Sequence, residues 1–174
     1  MHVLVPFGSH LGSTEEIAGR IAAVIGAAGA EVTLRAAALP DPVDAFDAVI
    51  VGGGTYAGRW HADAVAFVRN HVDALATKPV WLFSSGPLGA TGGSSEPHPP
   101  TEIVDLMRLV HARGHAIFAG AHARERVDES DLGRMEKFVA KRFIPEGDWR
   151  DWPTIEAWAY AIARELVPGR IGAL

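Results

Sequence analysis

The stretch Gly8-Ser9-His10-Leu11-Gly12-Ser13-Thr14 decides the fold, because it joins the apolar run His2 to Phe7 to a helical pattern that starts at Thr14. A loop of small and hydroxyl residues at such a junction has two physical uses. Gly12 lets the backbone approach an anion, and Ser9, Ser13 and Thr14 bring hydroxyls to the positive, N–H-rich end of a helix. The same residues also suit a plain helix cap, since Ser or Thr ahead of Glu15-Glu16 is good capping chemistry without any ligand. There is no Gly-Lys-Ser/Thr triplet, and Gly8 and Gly12 do not fit G-x-G-x-x-G, which weighs against ATP and NAD.

Outward from this loop, β-branched runs alternate with helical patterns. Ile17, Ile21, Val24, Ile25 and Ala28 recur at helical spacing, and Gly29 sits at the C-cap. Glu31 to Ala36 reads as a second strand and Asp47 to Gly52 as a third. His61 to Leu75 is helical, Pro79 to Ser84 a fourth strand, Thr101 to Arg113 a helix and His115 to Ala121 a fifth strand. An acidic turn, a helix over Leu132 to Phe143 and a last helix from Pro153 to Leu166 complete the reading of residues 1–174 as one α/β domain. Five strands separated by helices imply a parallel sheet covered on both faces; they are too few for an eight-fold barrel. In an open sheet of this kind ligands bind beyond the carboxyl ends of the strands.

Two further loops lie at that rim. After the third strand comes Gly52-Gly53-Gly54-Thr55-Tyr56-Ala57-Gly58-Arg59-Trp60-His61, where glycines admit a ligand and Tyr56 and Trp60 offer flat surfaces. Packing of both aromatics on the following helix is the alternative. After the fourth strand comes Ser84-Ser85-Gly86-Pro87-Leu88-Gly89, opening a glycine-rich connection to Pro100 whose backbone suits the polar edge of a heterocycle.

Composition narrows the function. Acids outnumber bases by 21 to 16, against a nucleic-acid binder. Zero cysteines exclude thiol catalysis, Cys-ligated metals and disulfides. The eight histidines lack ligand spacing, so no metal site is expected. Ser84-Ser85-Gly86 is not a G-x-S-x-G elbow, which sets a serine hydrolase aside. No secretory signal or 18-residue apolar run is visible, so a cytoplasmic domain without a transmembrane segment is expected. The helix around Leu132 to Phe143 carries Leu132, Met135, Phe138 and Val139 on one stripe, with Arg134, Lys137, Lys141 and Arg142 elsewhere. That pattern suits a core-facing stripe and also peripheral contact with an anionic membrane.

Ser9-His10-Leu11-Gly12-Ser13-Thr14 resembles the Ser/Thr-x-x-Gly-x-Thr phosphate loop of the flavodoxin-like family, and the resemblance spans nearly the whole chain. Within that fold, Tyr56-Ala57-Gly58-Arg59-Trp60-His61-Ala62, leading into Phe67-Val68-Arg69-Asn70-His71, is similar to the quinone-dependent, flavodoxin-type protoporphyrinogen oxidases. Ala119-Gly120-Ala121 and Asp151-Trp152 are similar too. The resemblance implies five parallel strands in the order 2-1-3-4-5 and an FMN cofactor. The resemblance would place its phosphate on Ser9, Gly12, Ser13 and Thr14 and its ring between the loop Thr55 to Trp60, with Thr55, Tyr56, Ala57, Gly58 and Trp60, and the loop Ser85 to Gly89, with Ser85, Gly86, Pro87, Leu88 and Gly89. His10 in the first loop and Ser84 at the end of the fourth strand are further cofactor-binding candidates. Flavodoxins prefer threonine where His10 and Leu11 stand. Catalytic candidates are His61, placed to donate to a flavin edge or substrate, and Arg59, a cation for a substrate carboxylate. Aromatics from one loop only leave a ring face open to a flat redox substrate or a quinone, which points to an FMN-dependent oxidoreductase. The alternatives are a flavodoxin-type electron carrier and a binding module without turnover.

Overall fold

The structure, a computed structural model, describes residues 1–39, 42–86, 98–130 and 132–168. Strands β1 (His2–Gly8), β2 (Glu31–Ala36), β3 (Ala48–Tyr56), β5 (Val80–Gly86) and β6 (Gly114–Ala119) form a parallel sheet in the order β2-β1-β3-β5-β6. This is the expected 2-1-3-4-5 order, with numbering displaced by one short strand. That strand, β4 (Arg59–Trp60), pairs antiparallel with the end of β3 through Thr55↔Trp60 and Tyr56↔Arg59. Ala57 and Gly58 turn the hairpin with φ of 49° and 76°, the positive angles that a two-residue type I′ connection requires.

Strand alternation divides the core. Val3, Val5, Ile50 and Phe83 face α1 (Ser13–Ala27) and α7 (Trp152–Leu166), whereas Leu4, Val49, Val51 and Leu82 face α2 (Ala62–Asn70) and α4 (Ile103–Leu109). Burial of both faces explains why these strands are continuous apolar runs.

Several boundaries differ from the sequence reading: the helix expected over Thr101 to Arg113 spans only Ile103–Leu109, the fifth strand expected to reach Ala121 stops at Ala119, and the further differences below have identifiable reasons. The helix expected over His61 to Leu75 is broken at His71 into α2 and α3 (Val72–Leu75), where the His71 ring bonds the Phe67 carbonyl at 2.8 Å. The expected acidic turn is a short helix, α5 (Arg124–Glu129), whose one buried residue, Val127, gives no periodicity to detect. Strands β3 and β5 run to Tyr56 and Gly86, past the expected ends at Gly52 and Ser84, because their glycine and serine tails still pair across Gly53↔Ser84 and Gly54↔Ser85. After β6 the chain makes β7 (Ala121–His122), which pairs with β8 (Gly147–Asp148), and between them α6 (Arg134–Phe143) stands over the rim of the sheet.

Candidate functional site

At the carboxyl ends of β1, β3, β5 and β6 lies a cleft of about 290 Å³. Its lining includes Leu11, Ser13 and Thr14 from the first loop, Thr55, Tyr56 and Ala57 from the second, and Ser85 and Gly86 from the third. The three loops singled out in the sequence therefore meet at one rim.

Gly12 caps α1 in the left-handed region, with φ 79° and ψ −17°, a conformation costly for a side-chain-bearing residue. The loop is held internally: the Gly12 N–H donates to Ser9 Oγ at 2.9 Å, and the His10 N–H donates to the Tyr56 hydroxyl at 2.9 Å. Ser13 and Thr14 are buried at the helix start, and the Ala121 N–H donates to Ser13 Oγ at 2.8 Å. Gly120 completes the floor, since a Cβ there would lie 3.2 Å from both Ser13 Oγ and Ser85 Oγ.

Other expected contacts fall elsewhere. Trp60 is 3% exposed, packed in the α2/α4 core against Gly53, where a Cβ would run into its indole; it is a core residue and does not line the cleft. Ser84 is buried on the opposite face of β5 from Ser85, with its hydroxyl 2.8 Å from His115 Nε2. Ser9, His10, Gly12 and Gly58 shape the loops without lining the cleft. The His10 ring lies 4.1 Å from that of His61 and 4.7 Å from that of Tyr56. His61 is buried at the start of α2, its Nδ1 accepting from the Asp63 N–H at 3.2 Å. Arg59 is exposed and ion-paired to Glu102 at 3.0 Å. Neither catalytic candidate reaches the cleft. Pro87, Leu88 and Gly89 lie outside the described residues.

Two groups were missed by sequence reasoning. One is the tail of β6, with Gly120, Ala121 and His122 lining the cleft. The other is the side of α6 that presents Met135, Val139 and Ala140 to it, with Leu132 and Ile144 flanking. The stripe seen in the sequence thus faces the cleft in part: Met135 and Val139 are 73% and 43% exposed, and Phe138 points to solvent at 61%.

Beside the cleft, at the phosphate-loop end, Arg126 donates to the Leu11 carbonyl at 3.2 Å and to Glu16 at 2.6 Å, and Arg150 bonds Glu16 and Asp148. Burial works to raise the Glu16 pKa, but the hydrogen bonds and charges of Arg150 and Arg126 outweigh it and hold the carboxylate below its ordinary range. The negative charge in the first turn of α1 is thereby offset by two guanidinium groups.

These residues fit FMN. Buried hydroxyls at a helix N-terminus, a floor without side chains at Gly86 and Gly120, and an apolar slot continuous with both form a donor set and shape suited to a phosphate joined to a flat ring. Among the described residues no three His, Asp or Glu converge on a metal position, and no helix is long and apolar enough to cross a membrane.

A doubly wound sheet with a hydroxyl-lined loop at its switch point defines a flavodoxin-like protein. Residues 4–142 match the family described as "Flavodoxin domain", and the chain belongs to that family, whose members bind FMN. Solved structures agree on the fold. A cysteine-to-serine mutant of flavodoxin from Pseudomonas aeruginosa matches at 19% identity and TM-score 0.57, over 92% of this chain and 98% of that one. A Streptococcus pneumoniae TIGR4 flavodoxin matches at 17% and 0.57, over 95% and 99%. Rubredoxin oxygen:oxidoreductase from Desulfovibrio gigas matches at 13% and 0.60, over 99% of this chain and 37% of that one. No curated protein sequence matches this chain.

Proposed function

We propose that the chain is an FMN-dependent oxidoreductase that passes electrons between a flat organic substrate and an acceptor such as a quinone. The observation that carries this reading is the apolar wall that α6 and its flank give the cleft. Leu132, Met135 and Val139 line it, and the exposure of Met135 and Val139 leaves room for a planar partner against the ring. Tyr56 is the one Phe, Tyr or Trp that the described residues place in the lining, so they supply no second large aromatic to sandwich the ring.

In this reading FMN supplies the redox chemistry, and the protein supplies position and electrostatics. Ser13 and Thr14 hold the phosphate at the α1 N-terminus, while Thr55, Ala57 and Gly86 flank the ring. Tyr56 braces the first loop through His10, and α6 supplies an apolar wall on the substrate side. The likeness of Tyr56 to His71 to the flavodoxin-type protoporphyrinogen oxidases makes a porphyrinogen the first substrate to test. An electron carrier is favoured by the family match and by the flavodoxins among the structural neighbours.

The experiment is steady-state oxidation of protoporphyrinogen by the FMN-loaded protein with a quinone as acceptor, run beside reduction of a one-electron acceptor by the pre-reduced protein. Multiple turnovers in the first assay support the enzyme. Electron delivery in the second alone supports the carrier, and failure to take up FMN overturns both.

A further inference from the structure

The His122 ring is 4% exposed, and among the described residues neither of its nitrogens meets full hydrogen-bond geometry, although the Pro145 carbonyl lies beside the ring. A buried polar group left in that state is destabilising, so its persistence calls for a partner. The ring borders two spaces at once. One is the main cleft; the other is a polar hollow that adjoins it, lined by Leu11, Ser13, Glu16, Arg126 and Arg150.

The position along the cleft is fixed by its neighbours. Ala121, one residue earlier, donates to Ser13 Oγ at 2.8 Å, and Ser13 opens α1. Arg126 rests on the same loop, against Gly12 and on the Leu11 carbonyl. His122 therefore stands beside the first loop, at the boundary between the cleft and the polar hollow.

We infer that His122 donates a ring N–H to the phosphate-bearing end of the bound cofactor, with Arg126 as the adjacent cation. The inference rests on the FMN reading and deepens it by adding a contact outside the first loop. Burial, with Arg124, favours the neutral ring, against the Pro145 carbonyl and Glu146; a neutral imidazole has one N–H, and in the loaded protein the phosphate takes it in place of the Pro145 carbonyl. The contact compensates in part for Leu11, which lacks a hydroxyl where the family prefers one.

The test titrates the full-length apoprotein with FMN and with riboflavin, which shares the ring system and lacks the phosphate. His122→Phe is expected to weaken FMN about tenfold or more, as loss of a hydrogen bond to a charged group implies, and to leave riboflavin within about twofold. His122→Gln, which keeps an N–H, should recover most of the loss. In the wild type, the ring 15N resonance of His122 should move on addition of FMN and stay in place with riboflavin. Equal weakening of both flavins, unchanged FMN affinity in His122→Phe, or a resonance that responds alike to both ligands overturns the inference while leaving the cofactor reading intact. A wild-type protein that takes up neither flavin overturns both.

Discussion

Ser13 and Ala121, 108 positions apart, are joined by a hydrogen bond from the Ala121 N–H to the Ser13 hydroxyl at 2.8 Å. The bond ties the loop after β1 to the segment that follows β6, where Gly120 forms part of the floor of the cleft. Ser13→Ala leaves the Ala121 N–H without its acceptor in a partly buried site, and we expect a loss of about 1 kcal/mol in stability. The midpoint of urea unfolding measures it. Because Ser13 also lines the cleft, FMN affinity should fall by a larger factor than stability alone explains. An unchanged FMN affinity would remove Ser13 from the phosphate site.

Trp60 separates a core role from a cofactor role. Its indole fills the space over Gly53 within the α2/α4 layer. Trp60→Ala should cost about 3–5 kcal/mol, the usual range for deleting a large buried aromatic. The fraction that remains folded should bind FMN with affinity close to wild type. Weak binding in a variant of undiminished stability would place the indole on the ring after all. Trp60→Phe should be far milder, because Trp60 Nε1 makes no hydrogen bond among the described residues.

At Gly12 backbone and space act together. An alanine there is strained at φ 79°, by about 1–2 kcal/mol, and its Cβ would run into the Arg126 guanidinium. Gly12→Ala should therefore displace Arg126 and weaken FMN more than riboflavin. Flavin fluorescence quenching reads both affinities, and equal effects on the two would argue against a phosphate at this loop.

Most of the sheet was legible because its signal is local. His2 to Phe7, Ala48 to Val51 and Val80 to Phe83 are apolar runs that pair on both sides, and the hydroxyl-glycine loop follows the first of them. The second half of the site was not legible, for physical reasons. Gly120 and Ala121 have almost no side chain, so their importance is one of position; His122 stands where no periodicity marks it. The stripe of α6 was visible, but which space it faces depends on the β7–β8 pairing, a long-range contact. Trp60 and Ser84 show the limit of reading residue type alone. Phe83 packs toward α1, so alternation along β5 turns Ser85 the same way, toward the cleft, and Ser84 toward the other face. For Trp60 the clue was the Ala57-Gly58 turn, which folds the chain back and sends the indole under Gly53.

His115 gives the fold a pH dependence with a definite sign. Its ring bonds Ser84, and burial pushes its pKa down from 6.5 to about 4. Between those values the unfolded chain takes up a proton that the native chain refuses. The stabilisation is complete above about pH 6.5 and is lost as pH falls toward 4, amounting to roughly 1–2 kcal/mol once partial contact with water is allowed for. His122 is depressed as well and adds to the same window. The lowered carboxylates Glu16, Asp148 and Asp151 act lower on the scale, since their unfolded values are 4.5, 3.8 and 3.8. His115→Gln keeps a polar partner for Ser84 and cannot titrate. Its urea midpoint should fall less than that of the wild type between pH 6.5 and 4.5, with the slope due to His122 remaining. Parallel profiles for the two proteins would show that the His115 ring takes its proton equally well in the folded chain.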